Sequence, residues 1–373
     1  MAASPDISFT ITIFLAAWLG LYAAARTLRL ERFGLEIRPL IFLWRTTKVN
    51  KLLDLIAQKL GSAASVLGDL SIALGVGMMA FGAFVLARNL QSFFVRPEAA
   101  LPIFPAIPAI TIRESLPFFL ISIAVLILVH EFAHGVAARH EKIEVKSAGV
   151  MFLAIIPGGF VEPNEESFKA ASRRKRLRVL AAGSSSNLVF GLAIVMILPL
   201  LFQSNGVLIQ NLVEDGPAEQ YGLKVDDIIT SVDGAPTLNS NEFRQAMADV
   251  KVGQELTLQV KHPDGTEEEV RLKTGADPNN PERAIVGIFL ADAIAHSTLF
   301  QTLFWMQFWS INLAIVNMLP IMALDGGSFL SNFMEKYTKQ NTRYLKYAVT
   351  IAFLTLLGLN MYLSFVRFGL VTI

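Results

Sequence analysis

Apolar residues along this chain gather into runs of about 20 separated by polar connections, the length a helix needs to cross a bilayer core. Six such runs stand out, at about Ile7 to Ala25, Leu70 to Ala87, Ser115 to Ala138, Val179 to Phe202, Thr298 to Leu324 and Tyr347 to Val366. The pattern predicts an α-helical polytopic membrane protein with six transmembrane helices. Ile7 to Ala25 could instead be a signal peptide, although its length and the lack of a basic segment before it favour a span. Between the fourth and fifth runs the pattern changes to charged, turn-rich sequence. There Leu256 to Val260 alternates apolar with polar, turns at Pro263-Asp264-Gly265 and returns through Val270 and Leu272. This predicts a hairpin, and Phe243 suits a short helix, so an α+β domain is inserted between two spans.

Composition agrees, with 53% hydrophobic and only 17% charged residues over 373 positions. The net charge of +1 says nothing about partners, and the absence of cysteine excludes disulfides, thiol catalysis and Cys-ligated zinc. Basic residues in the connections set the orientation by the positive-inside rule. Arg29, Arg32, Arg38, Arg45, Lys48, Lys51 and Lys59 put residues 27–69 on the cytoplasmic side, and the run Arg173-Arg174-Lys175-Arg176 does the same for 139–176. Beside a span that run is a topological signal rather than a nucleic-acid patch, and no nucleic-acid partner is expected. Residues 89–114, rich in proline (Pro97, Pro102, Pro105, Pro108), carry only Arg96 and Arg113 and belong outside, as do both termini and the inserted domain.

Chemistry enters at the cytoplasmic end of the third span. His130-Glu131-Phe132-Ala133-His134 follows fourteen uncharged residues, Leu116 to Val129. On a helix His130 and His134 lie one turn apart on one face, so two imidazoles can meet one metal ion. Glu131 is turned about 100° from His130, near enough to reach a water on that metal and too far round to ligate easily. Parity then makes the third and fifth spans cross in the same direction. Near the end of the fifth comes Asn317-Met318-Leu319-Pro320-Ile321-Met322-Ala323-Leu324-Asp325-Gly326-Gly327, with Asp325 as the first charge after a long apolar run. A lone carboxylate there could mark a helix end. Its matching depth, the Pro320 break and the paired glycines point instead to a third zinc ligand, since a carboxylate at that depth needs a neutralising partner.

The fourth span opens with Ala182-Gly183-Ser184-Ser185-Ser186-Asn187-Leu188-Val189-Phe190-Gly191. With this third motif in order, the chain resembles the site-2 protease family of intramembrane zinc metalloproteases over roughly residues 116–335. Where members of that family often carry a second proline, Met322 stands here. The resemblance implies one catalytic Zn2+ held by His130, His134 and Asp325, with Glu131 as general base. Three protein ligands leave a fourth position for water, whose pKa such an ion lowers toward about 7. Asn187 would hydrogen-bond the substrate backbone or the developing oxyanion, or else bridge helices.

Residues 146–162 are too few to span and contain Pro157-Gly158-Gly159. They are read as a hairpin or re-entrant loop turning at the Pro-Gly-Gly, where Gly158, Gly159 and Phe160 hold an extended substrate by strand addition, or as an interfacial packing element. The segment Gly216-Pro217-Ala218-Glu219-Gln220-Tyr221-Gly222-Leu223 and its continuation to Gly234 resemble the PDZ family in its bacterial-type arrangement. Such a domain would bind a peptide or chain end, exclude bulky ectodomains, or act as a spacer. His140, His262 and His296 are expected at surfaces or interfaces, and Gly75, Gly77 and Gly82 as close-packing positions.

The resulting division is 1–114, an N-terminal two-helix region with a cytoplasmic loop and an external Pro-rich loop; 115–203, the first half of the protease core; 204–275, the external PDZ-like domain; 276–297, a linker; and 298–373, the second half of the core. At about 1.5 Å per residue, the approach to His130 spans roughly 21 Å, leaving the metal nearer the cytoplasmic face of what is expected to be the cell membrane. The expected activity is hydrolysis of a peptide bond in or near a transmembrane segment of another membrane protein. The alternatives are a non-catalytic scaffold or chaperone presenting the PDZ-like domain, and a membrane-anchored zincin with a cytoplasmic site.

Overall fold

Long apolar helices and three antiparallel sheets make up a computed structural model that describes residues 7–372 apart from 39–40, 109, 114, 154–155, 279, 295–297 and 336–341. The first compact unit takes in residues up to 195 and from 302 onward, and the second covers 196–301.

In chain order the helices and strands up to the unit boundary are α1 (Ile7–Thr27), β1 (Leu35–Arg38), β2 (Ile41–Thr46), α2 (Val49–Leu60), α3 (Ala63–Val95), α4 (Leu116–His140), β3 (Val145–Leu153), β4 (Ile156–Pro163), α5 (Glu165–Ala170) and α6 (Arg173–Leu201). The inserted unit holds β5 (Ser204–Leu212), α7 (Pro217–Gln220), β6 (Ile228–Val232), β7 (Ala235–Pro236), α8 (Ser240–Ala246), β8 (Glu255–Lys261), β9 (Glu267–Lys273), β10 (Gly275–Asp277), β11 (Asn280–Ile285) and β12 (Ile288–Ile294). The chain then continues through α9 (Thr298–Asn317), α10 (Asp325–Met334) and α11 (Thr342–Phe368).

Among the described residues five helices are long and apolar enough to cross a membrane: α3, α4, α6, α9 and, within α11, Tyr344–Phe368. Six were expected. The first expected run is helical as α1, but it is not among the five. The fifth span is also shorter than expected. It ends at Asn317, because Pro320 cannot continue the helix, and Asp325 opens the separate helix α10 instead of closing the span. Gly326 and Gly327 allow the fold-back: a Cβ on Gly326 would collide with the Met318 carbonyl, and one on Gly327 would lie 2.7 Å from the Met322 Cα.

Packing within this unit follows small residues and buried apolar side chains. Met78, Leu177, Ala181, Ala314, Met318 and Phe329 form one buried cluster joining α3, α6, α9 and α10. Of the three glycines expected to allow close packing, Gly75 and Gly82 do so. A Cβ would stand 3.0 Å from Met318 Cε at Gly75 and 2.9 Å from Leu319 Cδ2 at Gly82, whereas Gly77 has nothing within 4 Å. Ion pairs tie the helix ends. Arg178 reaches Asp69 of α3 at 2.9 Å and Glu141, just past α4, at 2.6 Å, while Arg139 of α4 forks onto Asp54 of α2 at 2.5 and 2.6 Å.

The strands of this unit form one sheet in the order β1-β2-β3-β4. The expected hairpin is therefore present, but its turn is not at Pro-Gly-Gly. Gly158 and Gly159 lie within β4, paired with Met151 and Val150. Glycine is needed there because β4 lies against α4: a Cβ on Gly159 would stand 2.8 Å from Glu131 Cγ and closer still to Ile127 Cγ2.

The inserted unit is PDZ-like, a sheet in the order β12-β5-β6-β8-β9 with β7 paired to β6. Val207, Ile209, Ile229, Phe243, Leu256, Leu258 and Leu272 lie in its core. The expected β8–β9 hairpin is present, with Leu256 opposite Leu272 and Leu258 opposite Val270. Residues 276–297 were expected to be a linker. Instead they carry β11 and β12, and β12 completes the sheet by pairing with β5 from Ile288↔Leu212 onward.

His262, at the start of the hairpin turn, lies 2.7 Å from the fully buried Asp227 and 3.2 Å from Glu268. The hydrogen bond to Asp227, then that to Glu268, favours imidazolium and raises the His262 pKa above the ordinary 6.5. A raised folded-state pKa gives stability that is complete below the unfolded value and lost as pH rises through the folded one. The thermal midpoint of the inserted unit should therefore fall as pH rises from about 6 to about 9. That slope should be absent in His262→Gln; equal slopes in the two proteins would remove His262 as its cause.

Candidate active site

Three elements that are distant in sequence meet at one point. On α4, His130 and His134 stand with ring centroids 4.7 Å apart and planes at 78°. Asp325, the first residue of α10, places Oδ2 3.0 Å from His130 Nε2 and 3.2 Å from His134 Nε2, and the two nitrogens are 3.1 Å apart. Ligand atoms at about 2.0–2.1 Å from a tetrahedral zinc are about 3.3–3.4 Å apart, so this triangle is close to the size the ion requires. These three are the one group among the described residues that could hold a metal ion.

The neighbours suit that purpose. His134 Nδ1 lies 2.7 Å from the Val179 carbonyl, so it donates its proton there and leaves a lone pair on Nε2. Gly183 faces the two ring nitrogens: a Cβ there would stand 2.7 Å from His130 Nε2 and nearer to His134 Nε2, filling the space a metal needs. One turn further along α6, Asn187 lies behind His130. Its amide nitrogen is 3.4 Å from His130 Nδ1, and its Oδ1 is buried with no partner among the described residues. Rotating the amide by about 180° gives Oδ1 the Nδ1–H and leaves Nε2 free to ligate. Asn187 was expected to face substrate or an oxyanion. The other expected role, bridging helices, fits its place: it is fully buried and meets His130 of α4 from α6.

Glu131 accepts a 2.9 Å hydrogen bond from the Val161 N–H of β4 and opens into a cavity of about 560 Å³. His130, Asp325, Gly158, Gly159 and Asn317 share that cavity. The sequence contained Asn317 as the first residue of its motif, but only the fold reveals that it lines this space. Phe160 does not line it. Its ring packs beside Gly149 and under Arg45, whose guanidinium carbon is 5.5 Å from the ring centroid. Of the other histidines, His140 pairs with Ser65 at 3.0 Å, and His296 is outside the described residues.

The model of peptidase family M50 matches residues 118–359, which include all of these positions. The chain belongs to peptidase family M50. It is a zinc metalloprotease of the site-2 protease type with an inserted PDZ-like domain. An uncharacterized protein of Methanocaldococcus jannaschii is 25% identical, over 90% of this M50 peptidase and 88% of that protein. A putative zinc metalloprotease of Clostridium perfringens is 25% identical over 65% of this chain and 95% of its own length. The regulator of sigma-W protease RasP of Bacillus subtilis is 24% identical over 53% of this chain and 60% of its own length. Among solved structures, the PDZ domain of an SdrC-like protein from Listeria monocytogenes is 30% identical, with a TM-score of 0.21, covering 23% of this chain and 87% of that domain.

Gly183→Ala puts a methyl group between the histidine nitrogens of this M50 peptidase. It should lower zinc affinity by at least about tenfold, the scale on which disturbing a ligand's surroundings acts. Chelator competition on the purified, folded variant measures this, and wild-type affinity would show that the site has room for the methyl group.

Proposed function

We propose that this M50 peptidase hydrolyses a peptide bond in or near a transmembrane segment of another membrane protein. The observation that carries the reading is the ring of His130, His134 and Asp325 beside Glu131, opening into a cavity between membrane-capable helices. One Zn2+ held by these three residues would supply Lewis acidity to a water and to the scissile carbonyl. Glu131 takes the proton of the attacking water and returns it to the leaving amine. The Val161 N–H steadies the Glu131 carboxylate for that transfer, and Asn187 and the Val179 carbonyl keep both imidazoles in the ligating tautomer.

An extended substrate lies along β4, the edge strand of its sheet, where Gly158 and Gly159 line the cavity beside Glu131. The site faces the cytoplasm for water. The PDZ-like unit lies outside, where it binds a chain end or excludes bulky ectodomains, so that shortened membrane proteins are the substrates. The complete ring argues against a scaffold without activity. A membrane-anchored zincin with a cytoplasmic site would carry its histidines outside the spans, whereas His130 and His134 lie on the membrane-capable helix α4.

Glu131→Gln is expected to keep full zinc content and to lose cleavage of a model single-span substrate in proteoliposomes. Asp325→Asn should lower zinc content measured by elemental analysis. Cleavage by the first variant, or full zinc in the second, would remove that residue from its assigned role.

A further inference from the structure

The segment between α3 and α4 was expected to be an external loop. Ala106 and Pro108 nevertheless line the same cavity as His130, Glu131 and Asp325. It is held there by buried polar groups on two membrane-capable helices. Asn89 of α3 accepts from the Leu101 N–H at 2.7 Å and donates to the Leu101 carbonyl at 3.0 Å. Asn360 of α11 accepts from the Asn89 amide at 3.0 Å, and Ser364 accepts from the Ile103 N–H at 2.9 Å. Asn360 and Ser364 are fully buried and Asn89 is 4% exposed, so the clamp is sealed from solvent. Further on, the Thr111 hydroxyl donates to the Pro105 carbonyl at 2.7 Å and accepts from the Ile107 N–H at 2.8 Å, closing a turn around Ala106. Ile112, where the segment ends, is fully buried.

A loop that merely joined two helices outside a bilayer would not need its backbone paired by buried side chains of two spans. Non-helical backbone beside membrane helices does, because lipid offers it no partner. The cavity also has a direction. Phe119, Ile123, Ile127 and Glu131 line it from successive turns of α4. Twelve residues of helix rise about 18 Å, so one end lies at the chemistry and the other near the helix start. The lining between those ends is mostly apolar, with Leu313 and Leu324 opposite α4.

We propose that residues 101–108 form a fixed strap whose Ala106 and Pro108 are a wall of the substrate cavity, and that this wall limits the size of the apolar substrate side chain lodged there. Ala106 is the specificity-determining position. Its methyl leaves room that a larger residue would take from the substrate. The proposal rests on the proteolytic reading above.

Two single-span substrates, identical except for Phe or Ala at the residues flanking the cut, test it with Ala106→Leu, Ala106→Trp and the full-length wild type in proteoliposomes. Wild type must cut both; failure there would count against the proteolytic reading and not against the strap. The Ala106 variants, with zinc content confirmed, should lose about tenfold or more in kcat/KM on the Phe substrate while staying within about twofold on the Ala substrate, as a filled apolar pocket discriminates. Ile107→Trp, whose side chain is exposed and outside the cavity wall, should leave both rates as in wild type. Equal loss on both substrates, or no change on either, would overturn the proposal. Should Ala106→Trp fail to retain zinc, Ala106→Leu decides.

Discussion

Lipid cannot hydrogen-bond, and that constraint orders the polar chemistry of this protein. Each polar group carried to membrane depth must find its partner within the protein, at a cost of several kcal/mol where it does not. Asp325 meets two imidazoles; His134 turns its second nitrogen to the Val179 carbonyl; Ser310 donates to the Asn187 carbonyl at 2.7 Å. Even Ser122, in the middle of α4, returns its hydroxyl to the Phe118 carbonyl at 2.6 Å. A zinc site suits such surroundings. Held by His130, His134 and Asp325, a dication would meet two neutral imidazoles and one carboxylate and would offset the charge of the carboxylate.

Packing has to be achieved under the same constraint, because lipid tails are as apolar as leucine and do not drive helices together. Close approach then depends on small residues, and in this fold the smallest stand where chemistry is nearest. Gly183 brings the backbone of α6 up to the metal ring, so that Asn187 one turn later reaches the back of His130. The glycine that leaves space at the histidine nitrogens thus precedes by one turn the residue that meets His130 Nδ1. A side chain at position 183 would affect both.

How much of this could be read in the sequence depended on whether the signal was local. Runs of apolar residues marked the five membrane-capable helices, and HExxH spacing put two imidazoles on one helix face, because both follow from a single element's period. Asp325 was reached by an argument about depth, yet its placement at the start of α10 and not on the span depended on the fold-back at Pro320. β12 was missed since its partner β5 lies about 80 residues earlier in the chain and its own run, Ile288 to Ile294, is interrupted by Asp292. Ala106 and Pro108 were unreadable in another way. Proline-rich, weakly charged sequence has the composition of an exposed connection, and only Asn89, Asn360 and Ser364, two of them more than 250 residues away from the third, reveal that it is tied inward.

Sheet and helix together also bear on how a membrane-spanning chain becomes a substrate at all. In a helix the scissile carbonyl is bonded four residues ahead, and in lipid those bonds are not exchanged for water. Unwinding therefore needs replacement partners supplied before the bonds are given up. The free edge of β4 lies beside Glu131, close enough that Val161 spends its own N–H on the carboxylate. A strand laid along the remaining edge groups at Gly159 would recover part of its lost hydrogen bonding while its carbonyl came within reach of the metal ring. Substrates that surrender their helix readily, through glycine, proline or polar residues near the cut, have less to recover. On the proposed reading, with Glu131 as the base, an edge strand beside it would favour substrates whose helices are weak near the cut.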